Sequence, residues 1–401
     1  MKAKDLVPDP SPLPTERECP FDPPARLTEL CQHRPVSRMT YPDGHLGWLV
    51  TSHSAVRAVL ADLRFSSRQE LLRSPVLIPM PGTRVPADPG IFIRLDPPEQ
   101  TRYRRLLMGQ FTARRLKQLE PRIREIVDAQ LAAMERDGTE ADLVQTFALP
   151  VPSQVICELL GVPYEERAQT QRDVATMLRM TSSADEIIAA RQSVDSFVER
   201  LVLDKRANPS DDLLSGIAAI PELTLQELKS MAFLVFAAGY ESTANMLSLG
   251  AFALLAEGEQ LARLKSDPEL IDGAVEELLR YLTIVHIGPV RTALEDVDLD
   301  GHLIRKGECV TLSLSAANRD PARFEAPDTF DITRSAVGHL AFGHGAHQCL
   351  GAQLARVEMR IAYSALLARF PNLRLGVDPG EVEVATDMTV YGVHRLPVRW
   401  D

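Results

Sequence analysis

Thr224-Leu-Gln-Glu227 has the spacing of a capping box, in which a Thr hydroxyl and a Glu carboxylate satisfy each other's free backbone donors at a helix start. From Met231 to Ala256 apolar residues then dominate, broken mainly at Tyr240 to Thr243. At roughly 1.5 Å per residue such a helix is about 48 Å long. Being apolar on most faces, it has to be covered on all sides and so cross the centre of the protein. The other elements must pack around it.

Most of what surrounds it also reads as helix. Apolar periodicity predicts helices over Glu99–Gln110, Leu116–Arg136, Val151–Leu160, Glu166–Met180 and Ala184–Lys205, and one after Cys349 as far as Phe370. Strand signals are few. Leu46 to Thr51 follows the turn Pro42-Asp-Gly44, and short strands are predicted between Val290 and Val310. Ser54 is expected to cap a short helix from Ala55 to Asp62. Gln69 to Arg94, with its prolines and no helical period, reads as a long functional loop. The expectation is one mainly α fold with small β-sheets over residues 1–401, with 1–19 as a flexible or extended arm.

Composition narrows the function. The formal net charge is −11, so a protein that coats nucleic acid is not expected, because phosphate neutralisation needs a basic footprint. Five cysteines, none in a CxxC pair, fit a reducing cytoplasm better than a disulfide scaffold. The proline-rich start lacks the apolar core of a signal peptide. No uninterrupted run of about 18 apolar residues occurs, so no membrane span is predicted.

Chemistry concentrates in Phe342-Gly-His-Gly-Ala-His-Gln-Cys-Leu-Gly351. Its glycines let the backbone approach something flat or bulky. Cys349 stands just before a helix, where free N–H groups and the positive dipole end favour a thiolate. Such a cysteine suits axial ligation of a metal. Zinc is the competing reading, since His339, His344, His347 and Cys349 lie close together, but structural zinc sites use ligand pairs with a longer spacer.

The pattern Phe342-Gly-x-Gly-x-His-x-Cys-x-Gly351 resembles the cysteine-ligand loop of the cytochrome P450 family of haem-thiolate monooxygenases. The resemblance implies the mainly α P450 fold, a triangular prism, with haem b between the central helix and the Cys349 helix. It makes Cys349 the iron ligand, places Phe342 and Gly351 in the haem loop, and puts His347 on a haem propionate. Further segments resemble the family in the same order. Gln100 and Arg104 match a propionate-binding pair, with Gln100 where many members have histidine. Glu277 and Arg280 match a structural Glu-x-x-Arg pair. Arg291 matches an arginine that reaches a propionate. Ala238-Gly-Tyr-Glu-Ser-Thr243 resembles the family's oxygen-activation segment. There Ala238 and Gly239 would border the haem, with Gly239 letting the helix open around a small ligand. Glu241, turned partly toward solvent, and Ser242 would relay protons, with Thr243 offering a second hydroxyl.

The implied reaction inserts one oxygen atom from O2 into a mostly apolar, medium-to-large organic molecule. Polyketides or macrolides, terpenoids, sterol-like natural products and drug-like molecules fit that description. Electrons would come from NAD(P)H through a ferredoxin reductase and ferredoxin. Segments such as Ile156-Cys-Glu-Leu-Leu-Gly-Val-Pro163 look closest to actinobacterial members. The pocket is expected from Val76, Ile78, Met80, Val85 and Ile91 of the long loop and from Leu234 and Ala237 of the central helix. Ile284, His286, Ile287 and Val290 would add a second wall, and Thr389 and Val390 a third. Between Arg94 and Arg124, nine basic residues face three acidic ones, a net +6 in an acidic chain. Some of Arg102, Arg105, Arg114, Arg115 and Lys117 are expected to dock the acidic ferredoxin. A peroxide-driven or ring-coupling haem-thiolate oxidase, and a non-catalytic haem sensor, are the alternatives.

Overall fold

The computed structural model describes residues 10–77, 85–163 and 167–401. The first helices are α1 (Ala25–His33), α2 (His53–Ala61), α3 (Glu99–Met108), α4 (Ala113–Asp137) and α5 (Pro150–Leu160). Next come α6 (Arg167–Leu178), α7 (Ala184–Ala207), α8 (Leu213–Ala218), α9 (Leu225–Ala256) and α10 (Gly258–Ser266). The last are α11 (Ile271–Leu282), α12 (Leu314–Ala317) and α13 (Ala352–Arg369). One mixed sheet runs in the order β1 (Val36–Thr40), β2 (Leu46–Val50), β8 (Cys309–Leu312), β5 (Val290–Ala293), β3 (Phe65–Ser66). A small sheet joins β4 (Glu140–Asp142), β10 (Pro397–Arg399) and β9 (Arg374–Leu375), and β6 (Val297–Leu299) pairs with β7 (His302–Ile304). The mainly α architecture expected from the sequence is therefore present.

Helix α9 is the predicted central helix. Its capping box forms: the Glu227 backbone N–H donates to Thr224 Oγ1 at 3.2 Å, and the Thr224 N–H to Glu227 Oε2 at 2.7 Å. The same carboxylate accepts from Arg102 at 2.6 Å and from the Tyr103 hydroxyl at 2.7 Å, tying α3 to the start of α9. Burial alone would raise the Glu227 pKa, but these donors pull it down to about 2. Helix α9 then packs against α5, α7 and α13. Two glycines set the spacing. A Cβ on Gly250 would lie 2.1 Å from the Tyr363 hydroxyl, and that hydroxyl donates to the Met246 carbonyl at 2.7 Å. Phe252, Leu249 and Leu228 are fully enclosed, each contributing about 1.5–3 kcal/mol of apolar burial.

The short helix α2 starts two residues earlier than local signals suggest. The residue before it is Ser52, whose hydroxyl caps nothing, and Ser54 lies inside the helix. The Asp320 carboxylate accepts the His53 backbone N–H at 2.8 Å instead. A cap from a distant segment leaves no trace in the neighbouring sequence. The arm, from Pro10 on, is extended and docked: the Thr40 N–H donates to the Ser11 carbonyl at 3.1 Å alongside β1.

Candidate active site

The Phe342–Gly351 segment folds back on itself through Gly343 (φ 68°) and Gly345 (φ 70°). Only residues without a Cβ adopt this conformation at low cost. Gly345 also abuts α2, where a Cβ would come within 2.5 Å of the Leu60 carbonyl. The Cys349 N–H donates to the Phe342 carbonyl at 2.8 Å, closing the loop. Arg356 of α13 stacks over the Phe342 ring at 4.7 Å and pairs with Glu276. The loop's shape is thus held from three sides.

The Cys349 thiol is held deep yet has open surface. Burial raises its pKa, opposed by the Gly351 N–H and by the charges of Arg104 and Arg356. The expected thiolate preference from the helix start is therefore outweighed by desolvation. Helix α13 itself begins at Ala352, with Gly351 at its cap. Ala238 has the same double character: it is exposed in the middle of α9, whose neighbouring positions are largely buried. Ser242, one turn on, is half-buried on that same face. Cys349, Ala238 and Ser242 thus all keep accessible surface.

Arg104 and Arg356 act on Cys349, and Arg94, Arg104 and Arg291 act on His347, two residues before it. Burial lowers the pKa of Arg94 and Arg104, and lowers that of Arg291 to about 10 with help from the nearby Arg94 charge. None of the three is ion-paired among the described residues. Asp96 is the carboxylate that Arg291 and His347 feel, yet it is already engaged, accepting from the Ser66 hydroxyl at 2.5 Å and the Ser67 N–H at 2.7 Å. His347 is kept neutral, its pKa lowered to about 4 by burial and by Arg291, and its Nδ1 is buried without a partner. Unpaired cations in a desolvated place call for an anionic partner. The two propionates of haem b would supply that charge, and the accessible Cys349 sulfur would offer an iron ligand, so the residues present fit the group. Arg94 was missed from sequence. It closes a three-residue 3-10 turn, Phe92–Arg94, in what reads as a loop, and only its depth marks it.

Other expected site residues fall differently. Gln100 is buried, but its amide donates to the Ala346 carbonyl at 2.7 Å and its Oε1 accepts from Thr101. It ties α3 to the cysteine loop. Gly239 does not open the helix, since α9 is unbroken and a Cβ on Gly239 would lie 2.5 Å from Ile156 Cδ1. It is a packing glycine against α5. Glu241 is buried rather than turned to solvent. Its pKa is raised by desolvation, against the Tyr240 hydroxyl and the positive influence of Arg179 and His394. The Ser242 hydroxyl donates to the Ala238 carbonyl at 2.9 Å, while buried Thr243 reaches back toward Gly239 on the face packed against α5.

The expected pocket residues fall into separate apolar clusters. Ile91, Leu234 and Ala237 belong to the apolar cluster beside α9. Ile287 and Val290 belong to a second cluster, with Val76 packed against it. Ile284 packs against the main core. Val390 pairs with Val285 in a single antiparallel bridge. The Thr389 hydroxyl donates to the Leu178 carbonyl at 3.2 Å and offers no free donor. Val85 is 58% exposed and lines nothing. Ile78 and Met80 lie outside the described residues. His286 faces Tyr391, away from any bonding partner.

Comparison with known proteins agrees with this geometry. The model of the Cytochrome P450 family matches residues 262–390. "Cytochrome P450 105C1" of a Streptomyces species is 51% identical over 96% of this chain and 97% of its own. "Vitamin D3 dihydroxylase" of Streptomyces griseolus is 42% identical over 97% of this chain and 95% of its own. Among solved structures, CYP105P1 in complex with filipin I has a TM-score of 0.92 at 42% identity, covering 98% of this chain and 99% of that one. With such identity over nearly the whole length, the chain belongs to the cytochrome P450 family, a haem-thiolate monooxygenase with O2 as co-substrate.

Proposed function

We propose that Cys349 ligates the haem iron and that the enzyme oxidises a mostly apolar, medium-to-large natural product or drug-like molecule. The observation that carries this is the accessible Cys349 sulfur next to Arg104, with Arg94, Arg104 and Arg291, none of them ion-paired among the described residues, acting on His347 two residues away. When bound, the haem supplies dioxygen activation and transfer of one oxygen atom to a C–H or C=C bond. The arginines and His347 hold the two propionates and so set the orientation of the ring. Ile287, Val290, Leu234 and Ala237 keep water out and shape an apolar pocket, the usual character of such sites. Relatives named "Vitamin D3 dihydroxylase" and "Pentalenic acid synthase" fit this substrate class. The test is a compound screen for displacement of the axial water, read as a blue shift of the ferric Soret band. Turnover of each hit with a ferredoxin and its reductase should then give a product one oxygen atom heavier. Apolar polycyclic or macrocyclic compounds should shift the band, and a response confined to small polar molecules would overturn the reading.

Ser242, rather than Thr243, passes the protons. Ser242 shares the accessible face with Ala238, whereas Thr243 shares the face of Gly239 that is closed by α5. Its hydroxyl keeps its lone pairs free to accept while donating to Ala238. Glu241 refills it from the side of Arg179 and of His394, which bonds Asp387 at 2.6 Å near the surface. Positioned proton transfer is worth roughly 10²–10⁴ in rate. Ser242→Ala is therefore expected to retain haem and the substrate-induced Soret shift. It should consume NADPH but release most of the oxygen as hydrogen peroxide, as measured by peroxide-to-product ratio. Uncoupling in Thr243→Ala alone would reassign the role.

Electrons arrive from ferredoxin on a basic face formed by Arg105, Arg114 and Lys117. These three are exposed and make no ion pair among the described residues. Arg102 is instead drawn to Glu227 at 2.6 Å, and Arg115 toward Asp211 at 3.5 Å. Exposed charges are screened within about 8 Å at physiological ionic strength. The association rate with ferredoxin, followed by stopped flow, should fall steeply with added salt in the parent enzyme and much less in an Arg105→Gln/Arg114→Gln/Lys117→Gln variant. A parent rate indifferent to salt would rule this face out.

A further inference from the structure

The arm lays Arg17 flat on Tyr391, with the guanidinium carbon 4.0 Å from the ring centre. One Arg17 nitrogen, Nη1, donates to the Asp22 carbonyl at 2.7 Å. The other two, Nε and Nη2, are buried with no partner. Tyr391 is 0% exposed, and its hydroxyl also has no partner. His286 is 7% exposed, lies 5.6 Å from the Tyr391 ring, and has both nitrogens unpartnered. Five orphaned polar atoms therefore sit together, contributed by the arm, by the segment after α11 and by the C-terminal loop. Buried polar groups without partners are rare, and a concentration of them marks a missing ligand.

The character of that ligand follows from charge. Arg17 is a buried cation with a second cation, Arg319, beside it. Arg319 already takes the nearby carboxylates, Asp22 at 3.1 Å and Asp328 at 3.0 Å. Burial and the Arg17 charge keep His286 neutral. The group thus presents a guanidinium edge, a phenol O–H and one imidazole N–H, and Asp22, the carboxylate that acts on Arg17, is already paired with Arg319. Water would satisfy the donors, but only an anion would also set a negative charge directly against Arg17, whose one hydrogen bond goes to a backbone carbonyl.

We propose that Arg17, His286 and Tyr391 form a binding site for a small, halide-sized anion, of which chloride is the probe. Three donors from separate segments suit a spherical acceptor, which imposes no direction of its own. The site adjoins residues proposed to shape the substrate pocket, because His286 precedes Ile287 and Tyr391 follows Val390. The Tyr391 N–H also donates to the Ile284 carbonyl at 2.8 Å, so an anion here clamps arm and pocket wall together.

Crystals of the haem-loaded enzyme soaked in bromide should show an anomalous peak among the three side chains. Melting of the same protein in chloride against gluconate, at fixed ionic strength, should rise and saturate with chloride. Removing one donor to a charged ligand should weaken half-saturation by about tenfold or more in Tyr391→Phe, and Arg17→Gln should lose the effect. Should Arg17→Gln fail to fold, the parent and Tyr391→Phe decide. Ordered water in place of bromide, equal melting in both salts, or a bromide peak with no saturable chloride effect would each overturn the site.

Discussion

Replacing Cys349 with Ala is expected to abolish the strongly red-shifted Soret band of the reduced carbon monoxide adduct, together with all NADPH-driven product formation. The sulfur is the accessible thiol beside Arg104, and alanine would offer the iron nothing in its place. The proposed propionate-binding set of Arg94, Arg104, Arg291 and His347 is untouched, so the variant should still retain some haem with an altered spectrum. Burial raises the Cys349 pKa in the chain alone, so the thiolate has to form on ligation, with the Gly351 N–H and the Arg104 charge helping to hold it. Cys309→Ala is the control. That thiol sits in β8, 3.3 Å from the Thr292 hydroxyl and 3.7 Å from the Leu71 carbonyl, and is enclosed. The control should keep the band. A band retained in Cys349→Ala, or lost in Cys309→Ala, would show that the ligand has been misassigned.

What could be read from the sequence was local or carried by a dense motif. The capping box at Thr224 and the apolar run behind it gave the central helix, because both act within one helix and leave their periodicity in the chain. The cysteine loop was legible because its glycines, histidine and cysteine are fixed within ten residues. Side chains answering to partners far away in sequence were not legible. Gly239 beside an acid and two hydroxyls looks like a weak point in a helix, and only the Ile156 side chain from α5 shows it to be a contact point. Gln100, expected at a propionate, also answers to Ala346 from the other end of the chain, whose carbonyl accepts from its amide. Arg94 carries no periodic or motif signal, and its role emerges from depth and the lack of a counter-charge. Arg17 lies in a proline-rich arm that reads as a tail, yet it reaches the wall of the pocket.

The second large effect is expected at the buried pair under the haem-side core, where the two partners should not be equivalent. Glu277 and Arg280 are 0% exposed and meet in a fork, Nε to Oε2 at 2.7 Å and Nη2 to Oε1 at 2.8 Å. Arg280 also donates to the carbonyls of Asn318 at 2.8 Å and Pro327 at 2.9 Å, fastening α11 to the segment that leads into the cysteine loop. Glu277 has a further partner in Arg334 at 3.2 Å and accepts the Asp331 N–H at 3.1 Å. Removing one member of a buried pair costs about 3–5 kcal/mol because the other charge is stranded. That is a large share of a total stability of about 5–15 kcal/mol. Arg280→Ala leaves Glu277 still compensated by Arg334. Glu277→Ala strands Arg280 in full burial and weakens the hold on Arg334 as well. Glu277→Ala should therefore be the more damaging change, with lower soluble yield, less haem incorporated and an earlier midpoint in urea. Arg280→Lys should fall between the parent and Arg280→Ala, since it keeps the charge but loses the fork and most of the carbonyl contacts. Equal midpoints for the two alanine variants, or the reverse order, would mean that Arg334 does not share the charge of Glu277.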